Sequence, residues 1–224
     1  MGFTMANDNI KEEKIKHDAP WQHLNGNILC AVDTETTGLI PFHHDVIQVA
    51  VLPLNTHLEP MQWWNGKKVL PFYMRIKPSH PENVDPGARS VHGLDPFDSN
   101  AIDPWQASEL FERWFESFNL GPKKKITPLG MNYQFDLPFI ADWLGGMDHY
   151  AQFFHHHYRD LMVGSLTMND IAYNFGAAPP YPMVSLKRLA CVHDISHERG
   201  HDALEDCLVT ARCYKKMISR SSFI

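Results

Sequence analysis

No apolar run in the 224-residue chain reaches the ~18 residues that a membrane span needs, so no transmembrane helix is expected. No charged segment followed by a short apolar one opens the chain, which excludes a signal peptide of the usual form. Cysteine is scarce. Cys30, Cys191, Cys207 and Cys213 form no C-x-x-C pair, which argues against a disulfide framework and for reduced thiols in a cytoplasmic protein. Positive charge is also short: the net charge of -6 speaks against a protein that grips nucleic acid through a general basic surface. Bound metal changes that sum, because two divalent cations at an acidic cluster add +4 and bring -6 to -2. Lys67-Lys68, Lys123-Lys124-Lys125, Lys187-Arg188 and Lys215-Lys216 supply local basic groups.

What is present suits a globular domain: 44% hydrophobic and 12% aromatic residues, in a length that buries a substantial core. Residues 1–25 are a polar lead-in in which Lys and Glu alternate over 11–16 without an apolar face, and disorder is expected there. Residues 26–224 read as one domain. Strands are expected from Ile28, over Val46–Leu54 and across Val69–Ile76, with Leu58–Lys68 as a long hairpin loop. Asp103–Asn119 has the helical period, with Trp105, Leu110, Trp114 and Phe118 on one side and Phe111 and Phe115 beside them. A short strand at Ile126–Met131 is followed by a helix over Phe135–Leu144, stopped by Gly145-Gly146. Asp160–Phe175 mixes strand and helix signals, and Ser185–Val192 and Asp202–Met217 read as helices. The order implies an α/β domain with a partly antiparallel sheet.

Three acidic positions stand out. Asp33 and Glu35 share one face at the exit of an apolar strand, with Cα atoms about 7 Å apart, so two like charges meet beside a buried strand. Asp136 lies near the start of the helix after Ile126–Met131. In His201-Asp202-Ala203-Leu204-Glu205-Asp206, Asp206 borders a core-facing stripe of Ala203, Leu204, Cys207, Leu208 and Ala211, where a carboxylate is costly unless paired or metal-bound. His201, five residues earlier, lies about 500° of helical turn away from Asp206, so it has to reach any shared site from the preceding loop. His43-His44 and His155-His156-His157 tempt a zinc reading, but neighbouring side chains point apart and no cysteine is suitably spaced.

Together these residues resemble the DEDDh, or DnaQ-like, family of 3′–5′ exonucleases, over roughly Ile28 to Lys216. Asp33-Thr34-Glu35-Thr36-Thr37-Gly38 is similar to the family's first motif, Asn132-Tyr133-Gln134-Phe135-Asp136 to its second, and His201 to Asp206 to its third. Ala88 to Leu94 resembles a segment beside the active site, and Ser185 to Leu189 the helix before the third motif. A tyrosine variant is excluded, because its position is held here by Asp202. The resemblance implies a ribonuclease H-like mixed sheet flanked by helices. It also implies Asp33, Glu35, Asp136 and Asp206 around two Mg²⁺ or Mn²⁺ ions, which the all-oxygen donors suit, and His201 as general base. Single-stranded DNA or RNA 3′ ends are the implied substrate. Thr36, Gly38, Leu39 and His92 would line the pocket for the terminal nucleotide, with Gly38 allowing close backbone approach. Asn132 would touch substrate, and Lys187 and Arg188 the phosphates upstream. A homodimer or a polymerase partner would fit the family, although no polymerase-binding tail is seen after Met217. A proofreading subunit or a catalytically silent binding module are the other readings; the second is disfavoured because every catalytic position is present.

Overall fold

The computed structural model describes residues 18–22 and 26–219. Most of the expected lead-in lies outside the described residues. Its placed part, 18–22, is tied to the domain: the Trp21 N–H donates to the Leu54 carbonyl and the Asp18 N–H to that of Trp63. Packing therefore begins before residue 26.

Two strands form the centre. β1 (Ile28–Thr36) and β2 (Val46–Pro53) are antiparallel, and nearly every residue of both is buried. Such continuous apolar runs are what a strand needs when helices cover both faces of its sheet. β3 (Trp63–Trp64) and β4 (Lys67–Lys68) make a separate small hairpin inside the segment expected to be a loop. β5 (Phe72–Arg75) is shorter than the strand expected over Val69–Ile76 and pairs antiparallel with β2. β6 (Ile126–Gly130) and β7 (Arg159–Asp160) continue the sheet on the other side of β1 as parallel neighbours, giving the order β5-β2-β1-β6-β7.

Even-numbered residues of β1 (Ile28, Cys30, Val32) share one core with α2 (Pro104–Glu116), α3 (Tyr133–Trp143) and α4 (Met147–Phe153), and α1 (Pro86–His92) is a short helix before them. Leu29 and Ala31 face the opposite side, against α7 (Ala203–Ser219). α5 (Leu161–Asn174) and α6 (Leu186–Val192) pack behind α7 through Leu161, Leu189, Val209, Cys213 and Met217. α7 is thus buried on two faces, and the Val209/Cys213/Met217 stripe adds to the one read from sequence.

The buried stripe of α2 is centred on the flanking Phe111, with Trp114 and Phe115 packed beside it, and not on the Trp105 and Leu110 side. Ala107 and Phe111 are fully buried, whereas Trp105 is 61% and Leu110 37% exposed. Phe111 meets Phe72 of β5, Trp143 of α3, and Phe153 and Phe154 at the end of α4. These ring contacts, each worth about 0.5–1.5 kcal/mol beyond area burial, decide which stripe turns inward. α3 begins two residues before the expected Phe135, because the Asp160 carboxylate accepts the N–H groups of Asn132 and Tyr133 at 3.1 and 2.8 Å. Pro138 consequently sits inside the helix.

Candidate active site

β1 pairs with β6 only from Ile28 to Ala31, so its end has β2 on one side and an open edge on the other. The start of α3 fills that edge. The Thr34 N–H donates to Asp136 Oδ1 at 3.0 Å, and the Thr34 hydroxyl donates to the same oxygen at 2.6 Å. A carboxylate has taken the place of the missing strand partner, which pins Asp136 beside Asp33. Asn132, just before α3, is left-handed at φ 64°, a conformation asparagine tolerates better than most residues. Its amide oxygen accepts from Gln134 Nε2, and its N–H goes to Asp160. Its observed role is to turn the chain into α3.

Asp206 arrives from the other face of the sheet, on the first turn of α7. The docking of that helix is specified by a polar network that starts from a buried Gln48 and that the sequence reading missed. Gln48 of β2, in register with Glu35, accepts the Ala203 N–H at 2.9 Å and donates to the Tyr73 hydroxyl at 2.9 Å. Tyr73 donates to Asp202 Oδ2 at 2.7 Å, and Asp202 Oδ1 accepts the Glu205 N–H. Burial, with Asp202 close by, pushes the Tyr73 hydroxyl up to about 12. A lone glutamine inside the apolar run Val46–Leu52 was the signal available, since a buried amide needs partners.

The ligand atoms of Glu35, His201 and Asp206 lie within 4.8 Å of one another. Asp33 and Asp136 belong to the same electrostatic group. Burial and the charges of Asp136, Asp206, Glu35 and Asp202 hold Asp33 well above the usual carboxylate range. Burial, then Asp206, Asp136 and Asp202, raise Glu35 to about 8. Burial raises Asp136 to about 7, against the two Thr34 hydrogen bonds that favour its charged form. Carboxylates crowded so that each resists ionisation, next to an imidazole, form an oxygen-rich donor set that suits a hard divalent cation, whose charge would reverse the repulsion.

His201 stands in the loop before α7, as its register required, at φ 70° and with its side chain exposed. Its N–H donates to Asp206 Oδ2 at 3.3 Å. Four residues earlier, His197 Nε2 meets Asp206 Oδ1 at 2.6 Å, and no sequence signal marked that residue. His92, at the end of α1, is adjacent: burial, together with Arg75 and His201, holds its imidazolium below the usual range against a contact to the Thr36 backbone.

Other expected residues have different fates. The Thr36 hydroxyl donates to the Gly38 carbonyl within the turn. A Cβ on Gly38 would lie 2.3 Å from the His44 ring, so the close approach of His44 is one reason this position is glycine. Leu39, Ile40 and Phe42 project from the same turn, 74%, 59% and 69% exposed. Lys187 and Arg188 are exposed on α6, which rests on α7 through Leu189 and Ala190, with no ion pair to the carboxylates among the described residues. The rings of His155, His156 and His157 come closer than expected for adjacent residues, with nitrogens within 4.8 Å. They lie near the start of β6, where the His155 N–H donates to Ile126, while the carboxylates gather beyond its other end. His155 and His156 are stacked at 27°, and His155 Nδ1 accepts the His157 N–H.

A mixed sheet of this order, with carboxylates from its central strand and from a helix on each face, defines the ribonuclease H-like nuclease fold. The chain belongs to the exonuclease (RNase T) family, whose model matches residues 30–214. Among solved structures it is similar to E. coli exonuclease I in complex with a dA16 oligonucleotide, at 19% identity and a TM-score of 0.66 over 86% of this chain and 41% of that one. It is similar also to a moderately thermophilic exonuclease I from Methylocaldum szegediense (22% identity, TM-score 0.64, 86% and 40% covered). Cell-death related nuclease 4 shows the same fold at 17% identity and a TM-score of 0.63, with 86% and 64% covered. The chain therefore spans about two fifths of the length of the exonuclease I chains. No curated protein matches it. Among the described residues no helix is long and apolar enough to cross a membrane.

Proposed function

We propose that the chain is a metal-dependent 3′–5′ exonuclease that removes nucleotides from single-stranded nucleic acid, with residues 26–224 as one catalytic domain. The observation that carries this is the convergence of Asp33, Glu35, Asp136 and Asp206 on one another, so that three of them are raised above the usual carboxylate range, with His201 alongside. These four carboxylates would hold two Mg²⁺ or Mn²⁺ ions. Bound there, the cations would ease ionisation of a water and neutralise charge on the attacking and leaving oxygens.

The chain's own residues supply the rest. His201 takes the proton of the attacking water. The water oxygen bonds to phosphorus, the bond to the upstream nucleotide's 3′ oxygen breaks, and the terminal nucleotide leaves as a 5′-monophosphate. Thr34 favours the ionised form of Asp136 and orients it. The exposed Leu39, Ile40 and Phe42 offer apolar surface to the terminal bases, with His92 and the Thr36 backbone at the inner edge of the same cleft. Lys187 and Arg188 meet phosphates farther upstream. Single-stranded DNA as substrate draws support from the oligonucleotide-bound exonuclease I of the same fold. Four free cysteines suit a reducing, cytoplasmic setting.

The test is digestion of matched single-stranded DNA and RNA carrying a label at either end, with Mg²⁺, Mn²⁺ or EDTA. Release of mononucleotides from the 3′ end, dependent on the cation, is expected. Release from the 5′ end, or cleavage in EDTA, overturns the reading.

A further inference from the structure

Among the described histidines, His197 sets its ring against the Asp206 carboxylate. Its ring and the Asp206 carboxylate are each 10% exposed and meet at 2.6 Å. A carboxylate accepts, so Nε2–H is the donor, and Nδ1 is left buried without a partner. A ring nitrogen left unsatisfied is unfavourable, so this ring is not placed to satisfy both of its nitrogens.

Its surroundings explain what the contact achieves. The loop from Asp194 to His201 includes two non-glycine residues at positive φ, Asp194 (55°) and His201 (70°), which do not hold themselves in place. Its other polar side-chain ties, Ser196 to Glu198 and Arg199 to Glu205, are 3.3 Å contacts made by exposed Ser196 and Arg199, and Ile195 packs against the apolar cluster behind α7. Between residues 194 and 201, His197–Asp206 is the largely buried polar side-chain tie among those described. Gly200 leaves room for it, because a Cβ there would lie 3.2 Å from the His197 ring. Asp206 itself borders Glu35 and has no strand hydroxyl to orient it. Among the described residues, its Oδ1 is held by His197 and its Oδ2 receives the 3.3 Å N–H of His201.

We propose that His197 is a positioning residue: its bond to Oδ1 sets the Asp206 carboxylate for a divalent cation and, through the same atom, anchors the loop that carries His201. This rests on the reading of Asp206 as a metal ligand. Partners of this kind, one bond removed from a metal, typically change affinity by about 10–100-fold when removed.

The measurement is Mn²⁺ affinity by calorimetry on the full chain, alongside amide hydrogen exchange over 194–202 and single-strand turnover. His197→Ala should weaken Mn²⁺ roughly 10–100-fold and speed exchange in the loop. Its turnover should recover in part at saturating Mn²⁺. His197→Gln, whose amide N–H reaches the Nε2 position, should restore much of the affinity, and it keeps the test open if the alanine variant does not fold. Mn²⁺ affinity unchanged or tighter in both variants overturns the proposal; tighter binding would mean that His197 competes with the cation. Asp206→Asn separates the two claims, since Mn²⁺ binding that survives it removes Asp206 from the metal site altogether.

Discussion

Asp136 and Asp206 enter the cleft from opposite faces of one sheet and are held by different means. Asp136 is locked by the framework: a strand N–H and a strand hydroxyl share its Oδ1, and Asp160 fixes the helix start that carries it. Asp206 also rides on a helix docked to the sheet, through Gln48, but its carboxylate oxygens are contacted from a loop, by His197 and His201. One half of the site is built by the fold, and the other depends on ten residues of polar chain staying in place. Local openings cost least where few buried contacts hold a segment, so the α7 half is where motion and regulation would act.

The coarsest way to probe that comparison is to delete a carboxylate from each half. Asp136→Ala and Asp206→Ala should both lose roughly 10³-fold or more in turnover, taking several kcal/mol of transition-state stabilisation at about 1.36 kcal/mol per tenfold. Circular dichroism should show both variants folded, and near wild-type turnover in either would remove that residue from the site. His201→Ala should cost roughly 10²–10⁴-fold in kcat while leaving Mn²⁺ affinity little changed, as expected for a base and not a ligand. Lost Mn²⁺ binding in that variant would make His201 a ligand.

Charge crowding joins the two halves, and pH exposes it. Unfolded, these acids titrate near pH 4, whereas in the folded, metal-free protein Asp33 lies well above that, Glu35 at about 8 and Asp136 at about 7. Between those limits the native state binds more protons than the unfolded one, so stability falls as pH rises from about 4 to 8. Melting temperatures in EDTA should therefore drop across that window. Mn²⁺ at about 100 times its Kd should return about 2.7 kcal/mol at neutral pH. A flat EDTA profile would contradict the crowding.

Thr34→Val sharpens the contrast further. It keeps strand shape but removes the hydroxyl from Asp136, and should weaken Mn²⁺ by about 10-fold, the lower end for such partners. Because the backbone N–H still holds Asp136, hydrogen exchange at the start of α3 should not change; loosening there would mean the framework half is not preformed. The smallest effect is expected outside both halves. Leu39→Ala should raise KM a few-fold and leave kcat nearly intact, since an exposed side chain offers binding common to ground and transition states. An unchanged KM would leave Leu39 without contact to substrate.

The chain of residues from Asp33 to Asp206 shows how much was legible beforehand. Local rules act between near neighbours, so the apolar run of β1, the Gly145-Gly146 stop after α3, the helix over Ser185–Val192 and the stripe of Ala203, Cys207 and Ala211 could all be read without coordinates. The acidic motifs were legible for the same reason, because Asp33 and Glu35 alternate on a strand and His201 falls out of register with Asp206 on a helix. What the sequence could not supply are contacts whose partners meet only when layers pack. Thr34 and Asp136 are 102 residues apart and Gln48 and Ala203 155 apart. The inward face of α2 follows from rings on β5, α3 and α4, and Gly38 from the ring of His44. By itself the sequence determined which strand and helices bear the carboxylates. Only the tertiary structure decided how each carboxylate is held, because a hydrogen bond depends on an angle and a few tenths of an ångström that residue spacing does not encode.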